Sequence, residues 1–549
     1  MKNDIMQNDN MKFIMTVGYS VIVFLALIEI VSTIIFFTGA SITKLNFWLS
    51  LVLTLILIFD LYKSVNRKVS MKMYFLNVLI LAGIFIVGSF FAARFYDLSY
   101  NGQGYQQEAI IQLTLNNWNP IFGHPVDVIH ELWINHSPKG PWILSAVFYS
   151  VTGMIETGKV FNFVLLISSF FITIGTLTKI FPNYRIKSIL LAFVLAFNPV
   201  VLTQLTSFYI DGQIYSLLLI IFCMVYQLFD QYGLWEIVVL CFSILLLVNI
   251  KFMALVYACV IVLCYLLGLI LFKKKSIIKR IIWPVVITFI ISIAVIGCNP
   301  FVTNTITKGN PFYPFFGKDA VDIMTANSPA NYNNHNQFIS LAHSLFAKSE
   351  NPVTPESSKK KMPFTIKKEE LEVFMAPDVR AGGFGPLFSG ALVVTALLFL
   401  ISLALDWKKT RYIILPGIIL LISVLVNPES WWARYSPQIW VAPILIVIFA
   451  FHCKKKVYSL LGWGIVAIML VNTLLVSKYH FTEQNKYSRQ VDAQLNALAA
   501  QKKVVEVKSG NDYSNRIRFE ERNIKYNIVD TLTCEKKESF PFSETEYCK

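Results

Sequence analysis

A polar and aromatic stretch, residues 94–125, begins where a long apolar segment ends, and it reads RFYDLSYNGQGYQQEAIIQLTLNNWNPIFGHP. It combines acids, several amides, a histidine and many aromatic rings at the predicted surface of a membrane. A linker between two spans has little need of that mixture, whereas a pocket for a hydroxyl-rich ligand needs hydrogen-bonding groups beside flat apolar faces. We therefore predict that the functional site lies in this stretch.

Asp97 lies a few residues beyond the apolar segment and is the first candidate for chemistry, because a carboxylate in dry surroundings can act as a general base. The simpler alternative is a solvated or helix-capping aspartate. Glu108 is the second candidate for the same role. The amides and phenols nearby are typical of a sugar-binding surface, or of an amphipathic helix on the membrane; they are Tyr100, Asn101, Gln103, Tyr105 and Gln107.

Residues 124–142 form a second cluster, in which three histidines and a lysine lie beside two tryptophans. Imidazole is a common metal ligand, so a metal site is one interpretation, but neither an HExxH motif nor a tight acidic cluster is present. We therefore predict no metal and no other cofactor. His124 is a substrate-binding candidate, and Lys139 is either a contact for a phosphate or an ordinary interfacial lysine.

The segment NPESWWARYSPQ, residues 427–438, places Arg434 and Tyr435 beside two tryptophans at the boundary of an apolar segment. A guanidinium binds a phosphate with two parallel hydrogen bonds, and aromatic rings favour the headgroup layer of a membrane. The same layer includes Asp211, at the start of an apolar segment, and Lys251, in a predicted tight turn. Each of these two residues could instead be a plain helix-end residue.

The composition indicates a polytopic membrane protein, because 55% of the residues are hydrophobic and only 15% are charged. The first apolar run has no small-residue cleavage site followed by a soluble chain, so we interpret it as a retained span. The net charge of +15 comes mainly from short basic clusters between spans, which orient a membrane protein and argue against nucleic acid as a partner.

The apolar runs predict an all-α fold with about thirteen transmembrane helices. We place them near residues 13–38, 46–62, 73–93, 159–180, 187–206, 212–229, 234–250, 252–272, 281–298, 386–405, 411–426, 438–452 and 457–477. Basic clusters at residues 63–72, 179–187, 273–280, 408–411 and 454–456 predict that the N-terminus is cytoplasmic and the C-terminus extracytoplasmic in the plasma membrane. The inside loop near Asp230 has no basic residue, so that hairpin lacks this support.

Three parts follow from this topology: an N-terminal transmembrane hairpin (1–71), a core (72–476) with external loops 94–158 and 299–385, and an extracytoplasmic tail (477–549). Residues 141–152 are apolar but too short to cross a membrane, so they predict a re-entrant or interfacial helix. The tail pattern predicts a helix over 485–500 and strands over 504–510 and 517–530, hence a small α/β domain. Cys534 and Cys548 form a disulfide or remain two unpaired thiols.

Taken together, the acid after a span, the PKGPW sequence at residues 138–142 and the WWARY element resemble the GT-C superfamily of integral-membrane glycosyltransferases, of the bacterial protein mannosyltransferase or aminoarabinose transferase type. The resemblance implies an inverting transfer of a hexosyl or pentosyl group outside the cytoplasm, with Asp97 as the base. It also implies a polyprenyl-phosphate-linked sugar as donor, a cell-envelope glycan, lipid or protein as acceptor, and contact with membrane lipids. Lys139, Lys251 and Arg434 would be the phosphate candidates. Many members have a second acid close to the first, whereas this chain has Asn101 there.

Other functions remain open at this point. A transporter or flippase of lipid-linked sugars also binds a lipid phosphate, but it should place ionisable groups deep within its spans, where this sequence has few. A polysaccharide polymerase or ligase would use similar chemistry on a different substrate. A wall-assembly protein with a degenerate site is a further alternative.

Overall fold

The computed structural model describes residues 2–65, 71–125, 128–229, 231–333 and 335–549. The loop position Asp230 lies outside these residues, and so do residues 66–70 of the basic cluster at 63–72. The helices within this part of the chain are α1 Lys2–Phe37, α2 Lys44–Val65, α3 Met71–Arg94, α4 Gln107–Thr114, α5 Glu131–His136, α6 Gly140–Thr152, α7 Val160–Ile180, α8 Arg185–Ala196, α9 Pro199–Gln204, α10 Asp211–Leu228, α11 Leu234–Val248, α12 Phe252–Leu271, α13 Lys275–Ile291, α14 Thr303–Lys308, α15 Gln337–Leu345, α16 Lys368–Glu372, α17 Phe388–Leu425, α18 Val441–Cys453, α19 Lys456–Gln501 and α20 Ser514–Glu521. The strands are β1 Val505–Lys508, β2 Tyr526–Ile528, β3 Lys537–Ser539 and β4 Glu546–Cys548.

Among the described residues, nine helices are long and apolar enough to cross a membrane, which confirms a mostly helical, multi-span chain. They are Lys12–Phe37, Lys44–Lys63, Met71–Arg94, Ile155–Ile180, Asp211–Leu228, Phe252–Leu271, Lys275–Ile296, Phe388–Arg411 and Lys456–Gln501. Three shorter apolar helices, Leu234–Val248, Ile413–Leu425 and Pro437–Cys453, match further predicted spans. The count of thirteen is not confirmed.

The predicted span over 187–206 is wrong as a single helix, because the chain breaks between α8 and α9. Asn198 leaves the helical conformation, and its side-chain oxygen accepts a hydrogen bond from the Val201 N–H at 2.9 Å. Pro199 follows as the first residue of α9. A capping asparagine directly before a proline is a strong signal for a helix start, and it outweighs the continuous apolar pattern.

The long helices form an inner and an outer layer. In α1, α7 and α10 most of the apolar stretch is buried, whereas in α2, α3 and α13 only about a third of it is. Gly18 of α1 lies so close to α7 that an added Cβ would come within 2.7 Å of the Ile172 side chain. Such small residues allow close helix packing in membranes. The inner layer is therefore a rigid base for the loops above it.

Helix α17 covers two predicted spans, which are separated by a break at Asp406, whose φ and ψ are −142° and 38°. Both ends of α17 contact the loop at residues 299–385: Gln337 donates to the carbonyl of Leu425, and Lys361 donates to the carbonyl of Pro386. The break therefore turns the chain back, so both ends of the element lie on the loop side of the bundle.

The tail is joined to the core by α19, which runs without interruption across residue 477. Its small sheet has the order β2-β1-β4-β3, with β1 and β2 parallel and the other pairs antiparallel. The strand predicted over 517–530 is wrong in its first half, because α20 occupies it and supplies the crossover between the parallel strands β1 and β2. Cys534 and Cys548 form a disulfide, which decides between the two alternatives that the sequence left open.

Candidate functional site

A cavity of about 1370 Å³ lies where the loop at 94–158, the loop at 299–385, the WWARY element and the tail meet. Seven of the residues predicted for the site line it: Tyr100, Asn101, Tyr105, Asp211, Lys251, Arg434 and Tyr435. These residues are far apart in sequence but share one feature, because each lies in a polar loop or at a helix end on the loop side. The cavity is therefore the candidate active site.

Lys251 and Asp211 form an ion pair at the wall of this cavity, with 2.9 Å between Lys251 Nζ and Asp211 Oδ1. Asp211 is the first residue of α10, and Lys251 directly precedes α12. Both helices thus point their N-terminal ends, with their unpaired backbone N–H groups and positive dipole, at the cavity. A negatively charged ligand group would be stabilised at this wall.

Arg434 is the second cation of the wall. Its guanidinium lies 4.0 Å from the centre of the Trp432 ring and 4.7 Å from that of Tyr435, and 3.9 Å separates Nη1 from Asp211 Oδ2. Nη2 donates to the Tyr435 hydroxyl at 3.1 Å, while Nε has no hydrogen-bond partner. A planar guanidinium held by stacking, with donors left over, is suited to a two-point hydrogen bond with a phosphate.

Asp378 is an acid of this cavity that the sequence analysis did not select. The Tyr209 hydroxyl donates to its Oδ2 at 3.1 Å, and burial raises the pKa of the Asp378 carboxyl despite the nearby Arg434 and Arg380. Within the described part of the chain no group donates a hydrogen bond to Oδ1, so this oxygen is left for a ligand. The signal in the sequence was an acid between Pro377 and a glycine pair, close before a span.

Asp97 does not border the cavity. Its side chain is fully buried, Oδ1 accepts the Ser99 N–H at 2.7 Å, and Oδ2 accepts the Phe208 N–H at 2.6 Å. The backbone of Gly102 lies so close that an added Cβ would be 1.8 Å from Oδ2. Burial raises the pKa of Asp97 to about 6, so the carboxylate is mostly ionised at neutral pH. Both oxygens are therefore used within the protein.

The surroundings of Asp97 join the tail to the membrane core. Arg518, which is 1% exposed, donates to the Asp97 carbonyl at 2.8 Å and to Glu156 Oε1 at 3.0 Å. Glu156 also accepts the Asp97 N–H at 3.1 Å and pairs with Lys159 at 2.5 Å. Buried charges with satisfied partners are costly to break, so this network fixes the docking of the tail.

Glu108 and the neighbouring amides Gln103 and Gln107 also lie outside the cavity. The Glu108 carboxylate is buried and accepts the backbone N–H groups of Ile129 at 2.8 Å and His130 at 3.3 Å. Gln103 donates to the carbonyl of Phe542 at 2.6 Å, and Gln107 is buried without a partner for its amide. None of these three predicted residues lines the cavity.

Lys139 is buried away from the cavity, and burial lowers its pKa well below the usual value. Its Nζ donates to the carbonyls of Asn135 at 2.9 Å and Ser137 at 2.6 Å, and to Asn299 Oδ1 at 2.7 Å. Three acceptors match the three donors of an ammonium group, which leaves none for a phosphate. His124 is exposed and lies outside the cavity lining.

The remaining two histidines of this cluster, His130 and His136, do not lie at a common site. His130 lines the cavity and its Nε2 lies 2.9 Å from the Asn511 carbonyl, whereas His136 Nδ1 lies 2.6 Å from Asn304 Oδ1. Within the described ranges, no group of three or more His, Cys, Asp or Glu side chains could hold a metal ion. The absence of a cofactor stays a prediction.

No protein-family model and no curated protein matches this chain. Among solved structures, it is similar to the crystal structure of ArnT from Cupriavidus metallidurans bound to undecaprenyl phosphate. The TM-score is 0.37 and the sequence identity is 10%, over 82% of this chain and 85% of that one. We therefore infer the function from the residues of the cavity and not from this similarity.

Proposed function

We propose that this chain is a GT-C type membrane glycosyltransferase, which moves a hexosyl or pentosyl group from a polyprenyl phosphate to a cell-envelope acceptor outside the cytoplasm. The observation that carries the proposal is the pair of cations, Lys251 and Arg434, at a large cavity over a bundle of membrane-crossing helices. An anionic headgroup with an apolar tail fits such a place, because the headgroup meets the cations while the tail stays among the helices.

The chemistry asked of the protein is limited, because a lipid phosphate is already a leaving group. The bond between the anomeric carbon and the phosphate oxygen breaks, its electron pair leaves with the phosphate, and an acceptor hydroxyl oxygen bonds to the carbon from the other face. Lys251 and Arg434 would stabilise the charge that develops on the departing phosphate. Asp211 holds both cations in place before the donor binds.

The proton of the acceptor hydroxyl needs a base, and we assign that role to Asp378 rather than to Asp97. Asp378 lines the cavity, has an oxygen without a hydrogen bond and has a raised pKa, which brings it closer to the working pH of a base. Asp97 lies behind Gly102 with both oxygens occupied. We assign it a positioning role at the junction of core and tail.

The test is the release of polyprenyl phosphate from a lipid-linked sugar by purified protein in the presence of an envelope extract as acceptor source. We expect Asp378→Asn to lower kcat by about 100-fold to 10,000-fold, the usual contribution of a general base. Asp97→Asn is the matched control, and its kcat should stay within about tenfold of wild type because the side chain does not reach the cavity. The reverse pattern would return the role to Asp97, and release by neither the wild type nor any variant would overturn the proposal.

Transport of a lipid-linked sugar is the second candidate, and one observation favours it. Glu29 of α1 is fully buried, and neither of its carboxylate oxygens has a hydrogen-bond partner among the described residues. Unpaired ionisable groups inside spans often serve ion or substrate pathways. A transporter would move a fluorescent lipid-linked sugar across the membrane of vesicles without acceptor, and Glu29→Gln would lose this transport. The proposed transferase would instead release lipid phosphate only when acceptor is added, and it would do so in both wild type and Glu29→Gln.

A further inference from the structure

The tail forms one wall of the cavity, and this wall is unlike the wall with the cations. It is built from Tyr487 and Gln490 of α19, Asp512, and residues 539–544. The ring of Phe542 is 55% exposed, and that of Tyr100, contributed by the loop at 94–158, is 68% exposed. Neither residue belongs to a candidate span, so these two rings are not accounted for by contact with lipid chains.

The tail wall is held firmly in place. Gln103, one turn after Tyr100, donates to the carbonyl of Phe542 at 2.6 Å, and its own carbonyl accepts the Tyr513 N–H at 2.9 Å. Tyr487 packs edge-on against Phe542 with 4.8 Å between ring centres. The exposed faces are therefore fixed before a ligand arrives, which lowers the entropic cost of binding.

The charges of the cavity are unevenly distributed. Its lysine and arginine residues, Lys251, Arg380 and Arg434, all come from the membrane core and its loops. The tail wall contributes two carboxyl groups, Asp512 and Glu544, and no lysine or arginine to the described lining. The other ionisable groups that line the cavity are Asp211, Glu372, Asp378 and His130. A phosphate or carboxylate on a ligand would thus be attracted at the core wall and repelled at the tail wall.

The cavity also has room for a second molecule. Pockets for one small ligand usually measure about 300–1,000 Å³, and this cavity exceeds that range at about 1370 Å³. The lipid phosphate and its sugar would occupy the end with the cations. Flat rings beside amides, here Asn101 and Gln490, provide the stacking and hydrogen bonds that a sugar ring uses.

We propose that the tail wall is the acceptor subsite, and that it binds a glycan chain without phosphate or carboxylate groups. The proposal deepens the transferase function and rests on it in one respect, because the bound glycan is an acceptor only if the protein is a transferase. The binding itself does not depend on turnover, so it can be measured without a donor. Tyr100 and Phe542 would stack on the sugar faces, while Asp512 and Glu544 would exclude polyanionic glycans.

The experiment applies purified full-length protein in detergent to an array of immobilised neutral and acidic oligosaccharides. We expect binding to neutral glycans, and a loss of about threefold to tenfold in Phe542→Ala, because one aromatic contact contributes roughly 0.5–1.5 kcal/mol. Tyr100→Ala should show a similar loss. Ile528→Ala is the matched control, since Ile528 is 49% exposed on the same domain but does not line the cavity.

A preference for acidic glycans, binding that ignores Tyr100 and Phe542, or no binding at all would overturn the proposal. Glu544→Gln adds a second measurement, because the loss of this charge should raise the signal from acidic glycans by a few-fold without changing that from neutral ones. Neutral-glycan binding that depends on the rings, in a protein without transferase activity, would reject the transferase function and leave the glycan site standing.

Discussion

Replacing Arg434 tests the phosphate site most directly. The guanidinium uses one hydrogen bond within the protein, to the Tyr435 hydroxyl, and Asp211 is beyond hydrogen-bond distance at 3.9 Å. Nη1 and the second N–H of Nη2 would then each donate to a phosphate oxygen. A hydrogen bond to a charged group contributes about 1.5–3 kcal/mol, so we take the lower value twice and expect a loss of about 3 kcal/mol in Arg434→Ala.

That loss corresponds to a donor Kd that is roughly a hundredfold weaker. Arg434→Lys keeps the charge but not the fork of the guanidinium, so its Kd should weaken by about tenfold. The assay is titration of the detergent-purified protein with a fluorescent polyprenyl-phosphate sugar in the absence of acceptor, together with a thermal melt of each variant. Lys251 still pairs with Asp211 in both variants, which preserves the rest of the wall.

Arg522 provides the matched control for the loss of an arginine. It pairs with Asp492 at 2.5 Å and lies outside the cavity lining, so Arg522→Ala should leave the donor Kd unchanged. An Arg434→Ala protein with a normal melting temperature and a Kd within twofold of wild type would refute the assignment of Arg434. An equal loss in both variants would show general charge attraction rather than a built phosphate site.

Three further results are expected. Tyr209→Phe removes the hydrogen bond to Asp378, so the pKa of this base rises further. The acid limb of the pH–rate profile, where the rate falls as the base is protonated, should then move up by roughly half to one pH unit. An unmoved limb would exclude Asp378 as the base. Lys139→Met should lower the melting temperature, since three buried oxygens lose their donor, but leave the donor Kd as in wild type, and a weaker Kd would place Lys139 at the phosphate after all. Glu521 accepts the Ile155 N–H, and burial raises its pKa to about 7. An acid with a raised pKa stabilises the fold below about pH 4.5, and this stabilisation is lost as the pH rises through 7. Glu521→Gln should therefore raise the melting temperature at pH 8 and leave it unchanged at pH 4, and equal effects at both pH values would contradict the burial of this charge.

The membrane core was predictable because a span needs only a long apolar run, which is a local property of the sequence. A local signal explains one of the two errors in the secondary structure, and tertiary packing explains the other. At residues 187–206 the Asn198 cap and Pro199 break an apolar run that continues past them. At 517–530, alternating charged and apolar residues suit a strand, yet Arg518 and Phe519 lie in a helix, where both are buried against other parts of the chain. Tertiary packing decided there, not propensity.

The wall with the cations was partly predictable for a geometric reason. Arg434, Lys251 and Asp211 were selected because each lies at the end of a span beside aromatic or polar residues. Helix ends on one side of a bundle are brought to the same surface, so position along the chain already predicts proximity. Asp378 has the same kind of position, close before α17, although it was not among the predicted site residues.

Asp97 shows that the position of a residue in the sequence does not predict whether its side chain is accessible to a ligand. A base needs an open face toward the acceptor, and whether it has one depends on which groups fill the space around it. Asp97 receives the N–H of Phe208, and Arg518 covers its carbonyl from the other end of the chain. Asn101 lines the cavity, and Asp378 supplies a carboxyl group there from another loop. If Asp378 is the base, as we propose, the acid of this site comes from a part of the chain that local spacing around Asp97 could not reveal.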